Sequence, residues 1–249
     1  NMVTVLMFKG LEVDDKLITF WTSLILLPWT LKPLWSPFLE LFRTKKFFVI
    51  VTQLITGVTF GLVAFALNLS HFFSISIALL AIVAFSGATH DIACDGVYMS
   101  ELSNEDQAKF IGWQGAFYNI AKILATGGLV YLAGYFIELN ADAGLLTANK
   151  RAWMIILLIL SVTMILLGIY HLFALPSTQS ASSRKTLRSN KEVMRELGQV
   201  LMDFFRKTHI TYYICFIILY RFAEGFVMKI VPLFLKADRE MGGLGLNEK

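Results

Sequence analysis

The sequence predicts an all-helical protein that crosses a membrane several times. Of its 249 residues, 56% are hydrophobic and only 16% are charged, and the mean hydropathy is +0.64. This composition lies outside the range of soluble globular domains and inside that of polytopic membrane proteins. Most of the chain also consists of apolar runs that reach the roughly 20 residues needed for one helical crossing.

Each apolar run is interpreted as one membrane span. The runs occupy residues 17–36, 47–69, 73–99, 109–137, 152–174 and 210–235. Residues 1–8 are typical of the end of an earlier span, which we count as the first. Since the chain does not begin with Met and stops in a Gly-rich segment, 241–249, we expect a piece of a longer protein whose first helix is cut.

The distribution of basic residues predicts the orientation of the spans. Lys and Arg are more frequent in one set of alternating loops than in the other, and the richer set should be cytoplasmic. The predicted cytoplasmic loops are 37–46, 100–108 and 175–209. The predicted outer loops are 9–16, 70–72, 138–151 and 236–249.

The chain divides into three parts at a sharp change of composition. Residues 1–175 form the first transmembrane bundle, and residues 210–249 form the first helix of a second bundle with the loop that follows it. Between them, residues 176–209 form a basic central loop. Apolar side chains recur at helical spacing over 193–205, which predicts either an amphipathic helix on the inner membrane surface or a solvated linker whose helix continues into the next span.

Several ionisable residues lie inside these spans or at their ends. A charge in hydrocarbon costs roughly 3 kcal/mol or more, so such side chains usually face a water-filled cavity or one another. They are therefore typical of a solute or ion pathway, and a transporter is the first hypothesis. The residues are Lys32, Asp91, Asp95, Lys122, Arg221 and Glu224.

Asp91 and Asp95 are four residues apart, so both carboxylates project from one face of the fourth span. Two like charges this close repel one another unless a cation lies nearby or one carboxyl group takes up a proton. The pair suits a proton site or an access-dependent salt bridge to Lys32 or Lys122. It equally suits a fixed charge lock that shapes the cytoplasmic gate. Lys32 itself could bind an anionic substrate group, exchange salt-bridge partners, or simply extend its ammonium group to the membrane interface.

Polar residues at helical spacing on the fifth and seventh spans predict a cavity wall. Gln114, Tyr118 and Lys122 follow one another at intervals of four residues on the fifth span. On the seventh, Arg221 and Glu224 are three residues apart, so they form either a structural ion pair within the helix or a clamp in which the planar guanidinium binds a substrate carboxylate. We expect these five residues to line a substrate cavity.

Two segments resemble a known family. They are Leu27-Pro-Trp-Thr-Leu-Lys-Pro-Leu-Trp-Ser-Pro-Phe-Leu-Glu-Leu-Phe-Arg-Thr-Lys-Lys46 and Ala88-Thr-His-Asp-Ile-Ala-Cys-Asp-Gly-Val-Tyr98. Both are similar to the AmpG-type muropeptide permeases and the related acetyl-CoA transporters of the major facilitator superfamily. The resemblance implies a protein of about 12 spans, with the solute held between two half-proteins.

The resemblance also implies a function and roles for residues. It implies proton-coupled import of a muropeptide-like sugar-peptide across a bacterial inner membrane, or transport of another organic anion such as an acyl-CoA. Lys32, Asp91 and Asp95 would then couple protonation to gating. The cytoplasmic gate loop, which would pin the two halves together in one access state, consists of Glu40, Arg43, Lys45 and Lys46.

Other function classes fit the sequence less well. Intramembrane transferases hold Mg²⁺ with DxxxD pairs such as Asp91 and Asp95, but they need further carboxylates, and no second acidic cluster lies in a span. A scaffold that has lost transport could replace its buried charges with Leu. We therefore expect no enzyme, cofactor or metal site. The expected partners are a small-molecule substrate, protons and the lipid bilayer. The net charge of +4 is spread over the loops, which does not favour nucleic acid, and we expect a monomer.

Overall fold

The computed structural model describes two long segments and several short ones. The long segments are residues 2–42 and 44–176, and the short ones are 195, 198–199, 202–203, 205–216, 219–220 and 239–241. These residues contain helices and turns but no strand. The predicted all-helical fold class is thus confirmed over the part of the chain that the structure describes.

Residues 2–176 contain eight α-helices. A π-helical turn, Leu124–Gly128, joins α6 to α7, and a 3₁₀ turn, Ala141–Ala143, precedes α8. The helices are α1 (Met2–Gly10), α2 (Asp15–Leu24), α3 (Leu27–Phe42), α4 (Lys45–Ala66), α5 (Phe72–Glu101), α6 (Asn104–Ile123), α7 (Leu129–Leu139) and α8 (Leu145–Ala174).

Within the described residues, four helical stretches are long and apolar enough to cross a membrane. They are α4, α5, the continuous stretch Asn104–Leu139 and α8. They coincide with the predicted spans 47–69, 73–99, 109–137 and 152–174. Helices of this length and apolar composition are typical of α-helical membrane proteins, the class that the composition predicts.

The predicted span 17–36 is divided into two helices. α2 ends at Leu24 and α3 begins at Leu27, and the turn between them is closed by hydrogen bonds such as Trp29 N to Leu26 O, 3.1 Å. Pro28 has no backbone N–H to donate to Leu24 O, so α2 cannot continue its hydrogen bonding through this residue, and the first turn of a new helix accommodates proline without loss of a bond. The prolines predict a bend in this span, and the break lies just before the first of them.

α4, α5 and α8 form the centre of the first unit, and small residues allow α4 and α8 to approach closely. A Cβ added to Gly57 would lie 2.7 Å from Ile165 Cγ1 and 3.0 Å from Ser161 O. Side chains also donate to backbone oxygens of α4: Ser161 Oγ to Gly57 O, 2.6 Å, and Ser86 Oγ to Thr52 O, 2.9 Å. These bonds satisfy buried hydroxyl groups and tie both neighbours to α4.

Two consecutive lysines at the start of α4 donate to carbonyl groups in or near the last turns of its neighbouring helices. Lys45 Nζ donates to Gly96 O of α5, 3.2 Å, and Lys46 Nζ donates to Leu175 O, the residue that ends α8, 2.6 Å. The carboxyl end of a helix carries unpaired carbonyl groups and partial negative charge, so a cation there is favourable.

We expect Lys46→Met to lower the free energy of unfolding by about 1–2 kcal/mol, because a charged hydrogen bond to a helix end is lost. Thermal unfolding in detergent checks this. Lys16→Met, at an exposed position of α2, is the matched control and should leave the midpoint unchanged. Equal midpoints for both variants would contradict the capping role.

The contacts divide the chain into two units, Asn1–Thr186 and Leu187–Lys249, with the boundary inside the predicted loop 176–209. In the second unit, a turn over Arg206–His209 is followed by helical residues from Ile210. Most apolar positions of the predicted amphipathic helix lie outside the described residues, while Phe205 is helical and exposed.

Candidate functional site

The ion pair of Lys32 with Asp91 connects α3 to α5. The two helices run side by side, with the ring of Trp29 against Gly87, where an added Cβ would lie 3.2 Å from ring atoms. One turn further along α3, Lys32 Nζ donates to Asp91 Oδ2. The Lys32 side chain is 24% exposed and that of Asp91 is 50% exposed. The pair is thus half-buried between two helices.

Asp95 lies one turn beyond Asp91 on the same face of α5. Its charged neighbours are Asp91 and Lys32. We call Lys32, Asp91 and Asp95 the charge cluster. It joins α3 to α5, and with every group ionised it carries one negative charge in excess.

The polar stripe of α6, which consists of Gln114, Tyr118 and Lys122, is exposed. Tyr118 is 69% exposed, Lys122 is exposed, and α6 buries none of its side chains in the first unit. Within residues 2–42 and 44–176, Lys122 has no ion-pair partner, whereas its carbonyl oxygen accepts a bond from Thr126 Oγ1, 2.8 Å. The stripe is therefore an open surface of the described unit.

Other predicted site residues fall outside the description. Arg221, Glu224 and Arg43 are not among the described residues, and Glu40 is described only as part of the α3 backbone. Lys45 and Lys46 are described, and the bonds in which they donate to helix ends lie within the first unit.

A second polar group lies between α4 and its neighbours. His90 Nδ1 bonds Thr52 Oγ1, 3.0 Å, and its Nε2 lies 3.3 Å from Cys94 Sγ. On the other side of α4, His171 Nδ1 bonds Gln53 Oε1, 2.8 Å. The signal in the sequence is the four-residue spacing of hydroxyl and imidazole groups on facing helices, which indicates hydrogen bonds between helices.

The arrangement offers ion pairing and hydrogen bonding rather than a metal cage. Over the described ranges, no three His, Cys, Asp or Glu side chains come close enough to hold a metal ion. What the charge cluster can do is bind and release a proton, or exchange the partners of Lys32.

The comparisons with known proteins leave the site to be interpreted from its own geometry. No family model, curated protein or solved structure matches the chain.

Proposed function

We propose that the protein is a secondary active transporter that works by alternating access. The observation that supports this most directly is the ion pair of Lys32 and Asp91, with a second carboxylate, Asp95, one turn away on a helix long enough to cross a membrane. Ionisable groups in such helices are costly, and they are typical of solute and proton pathways.

The strength of the ion pair suits a gate. Fully exposed pairs contribute about 0–1 kcal/mol to stability, whereas breaking a fully buried pair costs about 3–5 kcal/mol. A half-buried pair lies between these limits, so protonation of a carboxylate or a change of hydration can break and remake it. When it breaks, α3 loses its charged contact with α5 and can move about the turn at Ile25 and Leu26.

The cargo follows from the family resemblance of the two segments. We propose proton-coupled import of a muropeptide-like sugar-peptide across a bacterial inner membrane, with another organic anion such as an acyl-CoA as the alternative cargo. The residues that the sequence predicts for the cavity are Gln114, Tyr118, Lys122, Arg221 and Glu224. A lysine and an arginine suit the carboxylates of a peptide and the phosphates of a coenzyme equally, so the two cargoes must be separated by experiment.

Uptake by the purified protein in proteoliposomes tests this function. Labelled anhydro-muropeptide should accumulate when an inward proton gradient is imposed and much less without it. Asp91→Asn should reduce gradient-driven uptake at least about tenfold, which corresponds to about 1.4 kcal/mol in the coupled step. Asp142→Asn, in the exposed 3₁₀ turn before α8, should transport normally.

The same vesicles separate the two cargoes. Uptake of a labelled acyl-CoA in place of the muropeptide would reassign the substrate and keep the transporter. If the folded protein moves neither compound under any gradient, both cargo proposals fail.

A further inference from the structure

An apolar cavity lies where the break between α2 and α3 faces the first part of α5. Its volume is about 330 Å³. On α5, the short side chains of Ala78 and Ala81 face the break and leave space beside it. Of the nine described residues that line the cavity, Ser74 is the one with a hydroxyl group and the others are apolar. The residues on the α2 and α3 side are Trp21, Leu24, Ile25 and Pro28.

The size and lining of the cavity suit a hydrocarbon chain rather than water. An engineered cavity of about 150 Å³ lined by Leu, Ile and Phe stays dry and binds benzene, and this cavity has about twice that volume. A buried water needs about two to four polar partners, and the lining side chains contribute the hydroxyl group of Ser74 and the indole N–H of Trp21.

A shallow groove along α2 leads into this cavity. Leu24 lines both of them, and the groove follows α2 from there past Phe20 to Lys16. The ring of Phe20 in the groove contacts the ring of Trp21 in the cavity edge to face, with centroids 5.4 Å apart. Phe20 is 59% exposed. The groove therefore gives the cavity an apolar entrance from the surface of the first unit.

The charge of the groove is concentrated at its far end. The hydroxyl groups of Thr19 and Ser23 donate to carbonyl oxygens of their own helix, 2.7 Å each, so they do not need a ligand. Lys9 Nζ pairs with Asp15 Oδ1, 2.6 Å. Lys16 is exposed and has no ion-pair partner among the described residues. An unpaired ammonium group above an apolar groove is complementary to a phosphate with a hydrocarbon tail.

The dimensions of the groove and the cavity match one leaflet of a bilayer. Lys16 and Leu24 are eight residues apart, which is about 12 Å along a helix. The cavity covers the same length of α5, from Phe73 to Ala81. One leaflet contributes about 15 Å of hydrocarbon. Since Lys16 ends the predicted outer loop 9–16, its ammonium group would lie at the outer interface, with the cavity within the outer leaflet.

We propose that the groove and the cavity bind one phospholipid of the outer leaflet. Its phosphate group contacts Lys16, and one acyl chain follows Phe20 and Leu24 into the cavity. Pro28, which lines the cavity, lies one turn before Lys32 on α3. An acyl chain in the cavity therefore fixes the spacing of α3 and α5 next to the ion pair of Lys32 and Asp91. The lipid site does not depend on the transport function proposed above.

Photo-crosslinking of the full chain in nanodiscs tests the proposal without any transported solute. The probes are a phosphatidylglycerol and a diacylglycerol with the same diazirine at the end of one acyl chain, each in a trace amount in phosphatidylcholine. Mass spectrometry of peptides locates the label. On segments 21–28 and 73–81, we expect phosphatidylglycerol to label about fivefold more than diacylglycerol, the effect of one lysine on a charged headgroup. Around Leu166, exposed on α8, both probes should label equally.

Variants assign the two ends of the lipid to residues. Ala81→Phe fills the cavity and should reduce phosphatidylglycerol labelling of both segments to the level around Leu166. Ala116→Phe, at an exposed position of α6, is the matched control and should leave the labelling unchanged. Lys16→Gln should make the two probes label both segments equally. Since Lys16 is exposed, this variant should fold even if Ala81→Phe does not.

Three results would overturn the proposal. The first is labelling of both segments no stronger than around Leu166, as when another helix or a second copy of the chain covers the groove. The second is an Ala81→Phe protein, folded, that is labelled like Ala116→Phe. The third is equal labelling by the two probes before any substitution, which would mean that the cavity takes any apolar chain and that Lys16 binds no phosphate.

Discussion

Gly57→Ala is expected to lower the free energy of unfolding by about 1–3 kcal/mol, the usual cost of adding atoms to a packed interface. The added Cβ would lie 2.7 Å from Ile165 Cγ1 and 3.0 Å from Ser161 O, and the second neighbour is backbone that cannot rotate away. Separation of α4 from α8 would also weaken the bond from Ser161 Oγ to Gly57 O, 2.6 Å. Thermal unfolding in a single detergent measures the loss.

The same substitution at Gly112 is the control. Gly112 lies on α6, where an added Cβ meets no atom within 4 Å. Alanine favours a helix over glycine by about 1 kcal/mol, so Gly112→Ala should be neutral or slightly stabilising. A Gly57→Ala protein as stable as Gly112→Ala would mean that α4 and α8 are not in close contact in the membrane.

Reversing one charge of the ion pair between Lys32 and Asp91 should abolish transport, and reversing both charges should restore part of it. Asp91→Lys places a second ammonium group against Lys32, and Lys32→Asp adds a third carboxylate to the cluster. The double variant, Lys32→Asp with Asp91→Lys, recreates an attractive pair across α3 and α5. Uptake should fall to background in each single variant and recover measurably in the double one.

Unfolding of the same four proteins gives the coupling energy of the pair as a double-mutant cycle. Because the pair is half-buried, we expect about 1–3 kcal/mol, between the values for exposed and buried pairs. A coupling energy near zero, with no recovery in the double variant, would mean that Lys32 and Asp91 act separately.

Helix type and span position could be predicted from the sequence, because they depend on local composition. Four of the predicted spans coincide with helices long and apolar enough to cross a membrane. The division of 17–36 could be predicted only as a bend. A proline in the sequence shows that one backbone N–H donor is missing. The residue at which the helix stops depends on which carbonyl groups accept bonds from other donors, as Leu26 O does from Trp29 N.

The pairing of side chains could be predicted less well than their presence. The spacing of Asp91 and Asp95 indicates one shared face, yet Lys32 and Lys122 are equally acceptable partners by composition. Only the packing of α3 along α5 selects Lys32. Gln114 is assigned to the cavity stripe by its spacing, and it lies on α6, which buries none of its side chains in the first unit.

The roles of Lys45 and Lys46 illustrate the same limit. In the sequence they are two of several basic residues in a predicted cytoplasmic loop, and the family resemblance suggests a gate. Lys45 donates to the backbone carbonyl group of Gly96 and Lys46 to that of Leu175, and no side-chain pattern marks a carbonyl group as an acceptor.

The π-helical turn at Leu124–Gly128 gives one helical stretch, long and apolar enough to cross a membrane, two separate orientations. One extra residue in a turn rotates everything after it by about 100° relative to an uninterrupted α-helix. α7 can therefore bury Ala133 while the polar stripe of α6 points in a direction that α7 does not share. Removing a single residue from this turn would leave the hydropathy of the stretch unchanged, but it would rotate α7 relative to α6 by about 100°. Either the packing of Ala133 or the direction of the Lys122 side chain would then have to change.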